Sequence, residues 1–317
     1  MNMLPPVTVP TFLQPVIQSW VAWLSFTFIA IPVSTFFLIW DFPKSIWRLL
    51  FSDYPKVVLI TGANSGIGAE LALAYARPNT TIGLIAHRLN NVATACKKKG
   101  ATIRVMSCDI TNLEDLNRNI DEFDEANPIE LLIANAAQIG ITTDQELSDQ
   151  WEDLWHRYFE VNVVGTLATV MTTYKKMRDR GKGQIAITSS IGGHFSMPQM
   201  IFYNSTKAAL ISFARDLRYL AARSNIKINL ITPGLIDTSD PRQPVQLPRI
   251  FKSSPRSLAK IIQWQLLENR FEITWPFVEY LPAYATSILP PRVLELATYI
   301  FGVVTGFITG TGNVAWT

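Results

Sequence analysis

Val57-Val58-Leu59-Ile60-Thr61-Gly62-Ala63-Asn64-Ser65-Gly66-Ile67-Gly68 is the stretch on which the fold turns. An apolar run of strand length passes directly into a turn with three glycines, and a helical stretch begins near Ala69. Glycines let a backbone turn tightly and approach a pyrophosphate, which the N–H groups at a helix N-terminus then bind. A glycine-rich turn alone says little; between a strand and a helix it says much more.

Working outward, further apolar runs alternate with helical stretches: 81–86 (TIGLIA), 102–107 (TIRVMS), 130–135 (ELLIAN), 184–190 (QIAITSS) and 227–233 (KINLITP). Strands alternating with helices mean βαβ units, and nearly continuous apolar strands fit a parallel sheet covered on both faces. The expected fold is α/β, a Rossmann-type doubly wound parallel sheet in a single domain. Such sheets bind ligands at the carboxyl ends of their strands, near the point where strand order reverses. The second run ends in Ala86-His87-Arg88, with no acid to bond a ribose 2′-OH. A guanidinium there matches a 2′-phosphate bidentately, so Arg88 favours NADP(H) over NAD(H), a surface Arg opening the next helix being the plainer reading.

One helical stretch carries Tyr203-Asn204-Ser205-Thr206-Lys207. Residues four apart share a helix face, so phenol and ammonium converge. A free phenol has a pKa near 10, and a nearby cation favours its phenolate; the expectation is that Lys207 lowers Tyr203. Ser190 precedes Tyr203 by 13 residues and Asn162 precedes Ser190 by 28. Ser189 competes for the role of Ser190, and the spacing favours Ser190.

The TGxxxGxG spacing, with these offsets, resembles the short-chain dehydrogenase/reductase family in its non-extended branch. The resemblance covers roughly Lys56 to Thr238, and the layout is similar to the membrane-anchored 11β- and 17β-hydroxysteroid dehydrogenases. It implies a catalytic tetrad of Asn162, Ser190, Tyr203 and Lys207. Tyr203 would exchange the proton and Ser190 would hold the substrate oxygen. Tyr203 and Lys207 would also belong to the cofactor site, Lys207 by bonding the nicotinamide ribose, and Asn162 would hold a water leading from Lys207 to solvent. It implies a cofactor site of Gly62, Asn64, Ser65, Gly66, Ile67 and Gly68, with Asp109 on the adenine and Asn135 supporting the nucleotide. Asp109 capping the next turn is the alternative. The family's NNAG reads Ala134-Asn135-Ala136-Ala137 here, which lowers the weight of Asn135. Pro233, Gly234, Ile236 and Thr238 match a PG…T motif that would contact the nicotinamide carboxamide.

The remaining sequence sets the surroundings. Val16 to Trp40 holds 25 residues without a charge, and roughly 20 apolar residues cross a bilayer. Lys44, Arg48 and Lys56 follow that segment and no Lys or Arg precedes it, which orients the catalytic domain to the cytosol, on an endoplasmic reticulum or other organelle membrane. A second uncharged segment ends the chain but is broken by Gly302, Gly306, Gly310 and Gly312. The expected division is 1–52 anchor and linker, 53–238 catalytic domain, 239–292 substrate lid rich in Pro and aromatic residues, and 293–317 apolar end. Hydrophobic residues make up 48% and mean hydropathy is +0.17, an excess concentrated at the ends. The net charge of +3 is too small and dispersed for a nucleic-acid footprint. Cys96 and Cys108 show no disulfide or ligand spacing, the three histidines stand far apart, and no metal is expected.

These readings point to a membrane-associated NADP(H)-dependent oxidoreductase that interconverts a ketone and a secondary alcohol. Its substrate would be lipophilic, of steroid, retinoid or acyl-lipid kind, under an aromatic lid. The resemblance also implies a homodimer. The rival reading is a catalytically silent nucleotide-binding regulatory or scaffold protein at a membrane, against which the intact tetrad argues.

Overall fold

Seven short strands, all paired in parallel, form the sheet of the computed structural model, which describes residues 54–86, 90–140, 142, 149–194, 200–237 and 253–276. The expected anchor, Arg88, Thr238, most of the lid and the apolar C-terminal segment lie outside those residues. Among the described residues no helix is long and apolar enough to cross a membrane, and no cluster of His, Cys, Asp and Glu could hold a metal ion.

The chain runs β1 (Val57–Thr61), α1 (Gly66–Tyr75), β2 (Thr81–Ile85), α2 (Asn90–Lys98), β3 (Thr102–Met106), α3 (Leu113–Ala126) and β4 (Leu131–Ala134). It continues with α4 (Trp151–Phe159), a π turn (Glu160–Gly165), α5 (Thr166–Arg180), β5 (Gly183–Thr188) and a 3-10 turn (Ile191–Gly193). Last come α6 (Ile201–Ala222), β6 (Ile226–Pro233), α7 (Pro255–Leu267) and β7 (Glu272–Trp275). Strand order is β3-β2-β1-β4-β5-β6-β7. The direction of winding therefore reverses between β1 and β4, and a ligand crevice opens at their carboxyl ends.

Both faces of the sheet are covered, which is why the strands read as unbroken apolar runs. Val58, Ile60, Ile82, Leu84 and Ile133 pack against Leu71 and Ala72 of α1 and Leu258 and Ile262 of α7. Leu59, Leu132, Ile185, Ile187 and Leu230 face Leu116 and Ile120 of α3, Val170 of α5 and Leu210 and Ala214 of α6. Each fully buried Val, Leu or Ile among them contributes about 1.5–3 kcal/mol. The helix ends are specified locally as well. The Asn112 side chain accepts from the Asp115 N–H at 3.2 Å to cap α3, and Ser254 caps α7 directly before Pro255.

One expectation needs correcting. Residues 255–275 fall within the stretch assigned to the lid, yet α7 packs on α1 and β7 extends the sheet beside β6. Trp264 and Trp275 thus belong to elements of the sheet's own layers. The sequence hid this strand because it has only four residues, opens with Glu272 and buries only Ile273. The third strand also stops earlier than its apolar run, at Met106, and leaves Asp109 on the following turn.

Candidate active site

Gly62 and Gly68 shape the turn leaving β1. Gly62 has φ +66, and a Cβ there would lie 2.7 Å from the Ala136 Cα. A Cβ at Gly68 would run into the Gly62 carbonyl oxygen and come within 2.7 Å of the Asn135 Nδ2. Any side chain at either position would push the turn away from β4. The turn is tied down from both neighbouring strands. Gly62 donates its N–H to the Ile85 carbonyl at 2.9 Å, and Thr61 Oγ1 accepts from the N–H groups of Asn135 and Ala136, both at 3.0 Å. Asn135 Nδ2 reaches the carbonyls of Thr61 and Gly62 at 3.3 and 3.4 Å, so its side chain braces the turn. Asn64 and Ser65 stand exposed above it, and Ser65 makes no side-chain cap on α1. The first N–H groups of α1, at Gly66, Ile67 and Gly68, have no acceptor within the helix and stand beside the point where strand order reverses. These features fit a dinucleotide pyrophosphate.

The other expected nucleotide contacts divide. Asp109 is exposed and Oδ1 accepts from both the N–H and the hydroxyl of Thr111 at 2.9 Å, so it does cap the next turn. Pro233 ends β6, and Gly234 donates to the Trp275 carbonyl at 2.9 Å. Ile236 is buried and bridges to Ser253, which holds this loop against the crevice. Arg88 and Thr238 are outside the described residues.

Three of the four expected catalytic residues meet at the carboxyl end of β5. Lys207 Nζ donates to the Thr188 carbonyl at 3.0 Å and lies 5.5 Å from the centre of the Tyr203 ring. The Ser190 hydroxyl stands beside the Tyr203 phenol and lowers its pKa, accepts from the Gly192 N–H at 3.1 Å and lies 3.5 Å from the Pro233 carbonyl oxygen. Ser189 is the other way round: its hydroxyl donates to the Lys207 carbonyl at 2.7 Å, inside the protein. That leaves Ser190, as the spacing favoured, facing the phenol. The Thr188 hydroxyl is buried without a partner beside this group.

Asn162 is fixed by its side chain. It sits in the π turn, wholly buried. Its Oδ1 accepts from the Gln138 N–H at 2.6 Å, and its two amide hydrogens go to the Gln138 carbonyl at 2.9 Å and Thr206 Oγ1 at 3.1 Å. Both side-chain donors are engaged by protein, so the side chain acts as a brace. Thr206 in turn donates to the Tyr203 carbonyl at 2.7 Å, which carries the brace to the helix of the phenol.

The electrostatics also correct the sequence reading. Burial pushes the Tyr203 phenol up to about 12, with the Ser190 hydrogen bond pulling it down and Tyr158 pushing it further up. Burial alone brings the Lys207 ammonium down to about 7. Desolvation of both groups outweighs the attraction expected between them. Tyr203 is consequently held as a phenol, a form that can donate a proton. The sequence reading missed Tyr158, which packs with Leu154, Met200, Tyr203, Ile139 and Phe202 in a separate apolar cluster. Its position four residues before Asn162, on the same helical face, was the available signal.

The sequence pattern of the short chain dehydrogenase family matches residues 56–246. This chain belongs to the short-chain dehydrogenase family. The 11-beta-hydroxysteroid dehydrogenase 1A of Arabidopsis thaliana is 31% identical over 209 residues, 64% of this chain and 59% of that protein. The chain thus aligns with under two thirds of the length of that relative. Among solved family structures, the L-sorbose reductase of Gluconobacter frateurii complexed with NADPH and L-sorbose is 25% identical, with a TM-score of 0.61 over 70% of this chain and 94% of that one. A 3-oxoacyl-[acyl-carrier protein] reductase with bound NAD from Brucella melitensis is 26% identical, with a TM-score of 0.60 over 70% and 89%. One of these two structures holds NADPH and the other NAD.

Proposed function

We propose that this protein is a membrane-associated oxidoreductase that interconverts a ketone and a secondary alcohol on a lipophilic substrate, using NADP(H). The observation that carries the reading is the meeting of Ser190, Tyr203 and Lys207 at the sheet edge onto which the glycine turn also opens. When bound, the nicotinamide supplies or accepts the hydride. The Ser190 hydroxyl holds the substrate oxygen beside Tyr203, and the Tyr203 phenol gives that oxygen its proton in the reducing direction. Lys207 keeps a positive charge near the phenolate that results, while Asn162 and Thr206 hold the helix carrying both groups in register with the segment after β4. Positioned proton transfer of this kind contributes about 10²–10⁴ in rate.

NADP(H) is favoured over NAD(H) by Arg88 and by the lack of an acid in Ala86-His87-Arg88. The lipophilic substrate is supported by the apolar wall beside Tyr203, where the rings of Tyr158 and Phe202 lie 6.4 Å apart at 28°. The membrane setting rests on the uncharged segment 16–40, with the catalytic domain on the cytosolic side of an endoplasmic reticulum or other organelle membrane. Asn79-Thr80-Thr81 is a glycosylation sequon, and glycosidase-sensitive mass on the native protein would reverse that orientation.

The decisive experiment is an untargeted lipid screen that follows NADPH consumption by the full chain. A lipid ketone converted to its alcohol by the native protein, and not by Tyr203→Phe, is the expected result. NADPH binding without turnover on any ketone or aldehyde, together with no cellular effect of Tyr203→Phe, would leave a nucleotide-binding scaffold instead.

A further inference from the structure

Ser190 and His194 are the two ends of one short rigid turn. The Ser190 hydroxyl accepts from the Gly192 N–H at 3.1 Å, Gly193 donates to the Ser190 carbonyl at 3.0 Å, and His194 donates to the Ile191 carbonyl at 2.9 Å. The turn is pressed against α6 at the level of Lys207. A Cβ on Gly193 would come within 2.8 Å of the Lys207 carbonyl carbon and 2.9 Å of the Ala208 nitrogen. At its far end, His194 Nε2 hydrogen-bonds Glu272 Oε1 at 2.7 Å. Both side chains are largely buried, at 7% and 19% exposure. Glu272 stands on β7, where Oε1 also lies 3.5 Å from the Thr232 hydroxyl of β6 and Oε2 lies 4.0 Å from the half-exposed Arg215 guanidinium of α6.

We infer that the His194–Glu272 hydrogen bond positions Ser190 against Tyr203. Among the described residues, the Ser190 hydroxyl has, outside its own turn and the phenol, only the long contact to the Pro233 carbonyl, so its aim depends on how the turn is held. Gly193 fixes how closely the turn approaches α6, and His194 fixes its rotation, because the imidazole is tied to a carboxylate on a different strand. A hydrogen bond to a carboxylate is short and strong, which suits it to hold an angle. His194 and Glu272 touch neither the phenol nor the Lys207 ammonium in any contact described above; they are positioning residues. The inference rests on the proposed role of Ser190 as the partner of the substrate oxygen, and its test needs no substrate.

The test compares the native full chain with Glu272→Leu, which removes the acceptor, Glu272→Gln, which keeps a neutral one, and His194→Phe, which removes the ring donor. Two reporters sit at the site. The Cζ resonance of Tyr203, in isotope-labelled protein, is the signal that Tyr203→Phe lacks. The Gly192 amide bonds the Ser190 hydroxyl itself, and its exchange with solvent reads the same side chain. Glu272→Leu and His194→Phe are expected to move the Tyr203 signal in the direction that Ser190→Ala moves it, and to speed Gly192 exchange about tenfold. Glu272→Gln is expected to restore both toward native values. If Glu272→Leu does not fold, His194→Phe, which keeps the volume of a ring, decides the matter. Lower melting temperature with the Tyr203 signal and Gly192 exchange unchanged would make the pair a fastening for β7 alone and overturn the proposal. A protein inert toward all carbonyl lipids would remove the oxidoreductase reading and leave these two reporters as informative as before.

Discussion

Between β1 and α1 the chain makes room by omission. Gly62 and Gly68 lack side chains where Ala136, Asn135 and the Gly62 carbonyl leave none of the space a Cβ would need, and the hydrogen bonds that fix the turn join backbone groups to one another or to the short Thr61 and Asn135 side chains. Around β5 and α6 the chain does the reverse. It buries long polar side chains, with Tyr203 at 8% and Lys207 at 1% exposure, and holds them through Ser190, Thr188, Thr206 and Asn162. Both regions open at the carboxyl edge of one sheet. The first is suited to receive a ligand's phosphates with donors already aimed, and the second to hold two ionisable groups away from water so that their protonation can be set. Damage should therefore look different in the two places: loss of shape and of binding in one, loss of chemistry with shape intact in the other.

The sharpest way to test that contrast is Tyr203→Phe. It removes one hydroxyl from the second region and touches nothing in the first. Turnover of the substrate found by the lipid screen is expected to fall by about 10²–10⁴. The dissociation constant for NADPH, read by fluorescence, is expected to stay within a factor of about three, a change of less than about 0.7 kcal/mol. A comparable loss of NADPH affinity would mean that the two regions are not separable.

Gly68→Ala attacks the other side. The added methyl would collide with the Gly62 carbonyl and the Asn135 amide, both held by the β4 end, and neither is the free tip of a flexible chain. Overpacking of this kind costs about 1–3 kcal/mol. Denaturant unfolding should show the loss, and NADPH affinity should fall with it. Full stability together with full affinity in Gly68→Ala would show that the turn can relax, against the close approach described.

The two regions were also unequally legible from sequence. Glycines declare themselves, because few other reasons put three of them between a strand and a helix, and the six long apolar runs declare the sheet. The offsets linking Asn162, Ser190, Tyr203 and Lys207 brought together the residues of the second region but not their energetics. The direction of the Tyr203 shift depends on burial, to which Leu154 and Tyr158 contribute from another helix beside the neighbouring Met200. The brace at Asn162 reaches Gln138, 24 residues away, and Thr206, 44 residues away. The His194–Glu272 pair spans 78 residues and ends on the one strand too short and too polar to read as a strand. Local pattern carries backbone geometry; it does not carry which distant side chains exclude water.

Lys207 gives the smallest effect and the most direct reading of that exclusion. Burial brings its ammonium from the ordinary 10.5 to about 7 in the folded chain. Between those values the unfolded chain holds a proton that the folded chain has released, so stability of the cofactor-free protein rises with pH across that window. Below about pH 7 the lysine is charged in both states, and the folded protein bears the whole penalty of a buried charge. One group can contribute a slope of at most about 1.4 kcal/mol per pH unit. The useful range stops near pH 9, since the buried Cys108 thiol, raised from 9.0 to about 12, and the Tyr203 phenol, raised from 10.0 to about 12, pull stability the other way above it. Lys207→Met keeps an unbranched apolar chain without the charge. Melting temperatures measured from pH 6.5 to pH 8.5, about two units spanning the lower part of the window, should climb in the native protein and climb less in Lys207→Met. Equal slopes in the two proteins would mean that water or a counter-charge reaches the ammonium, and the second region would then differ from the first in its residues but not in its dryness.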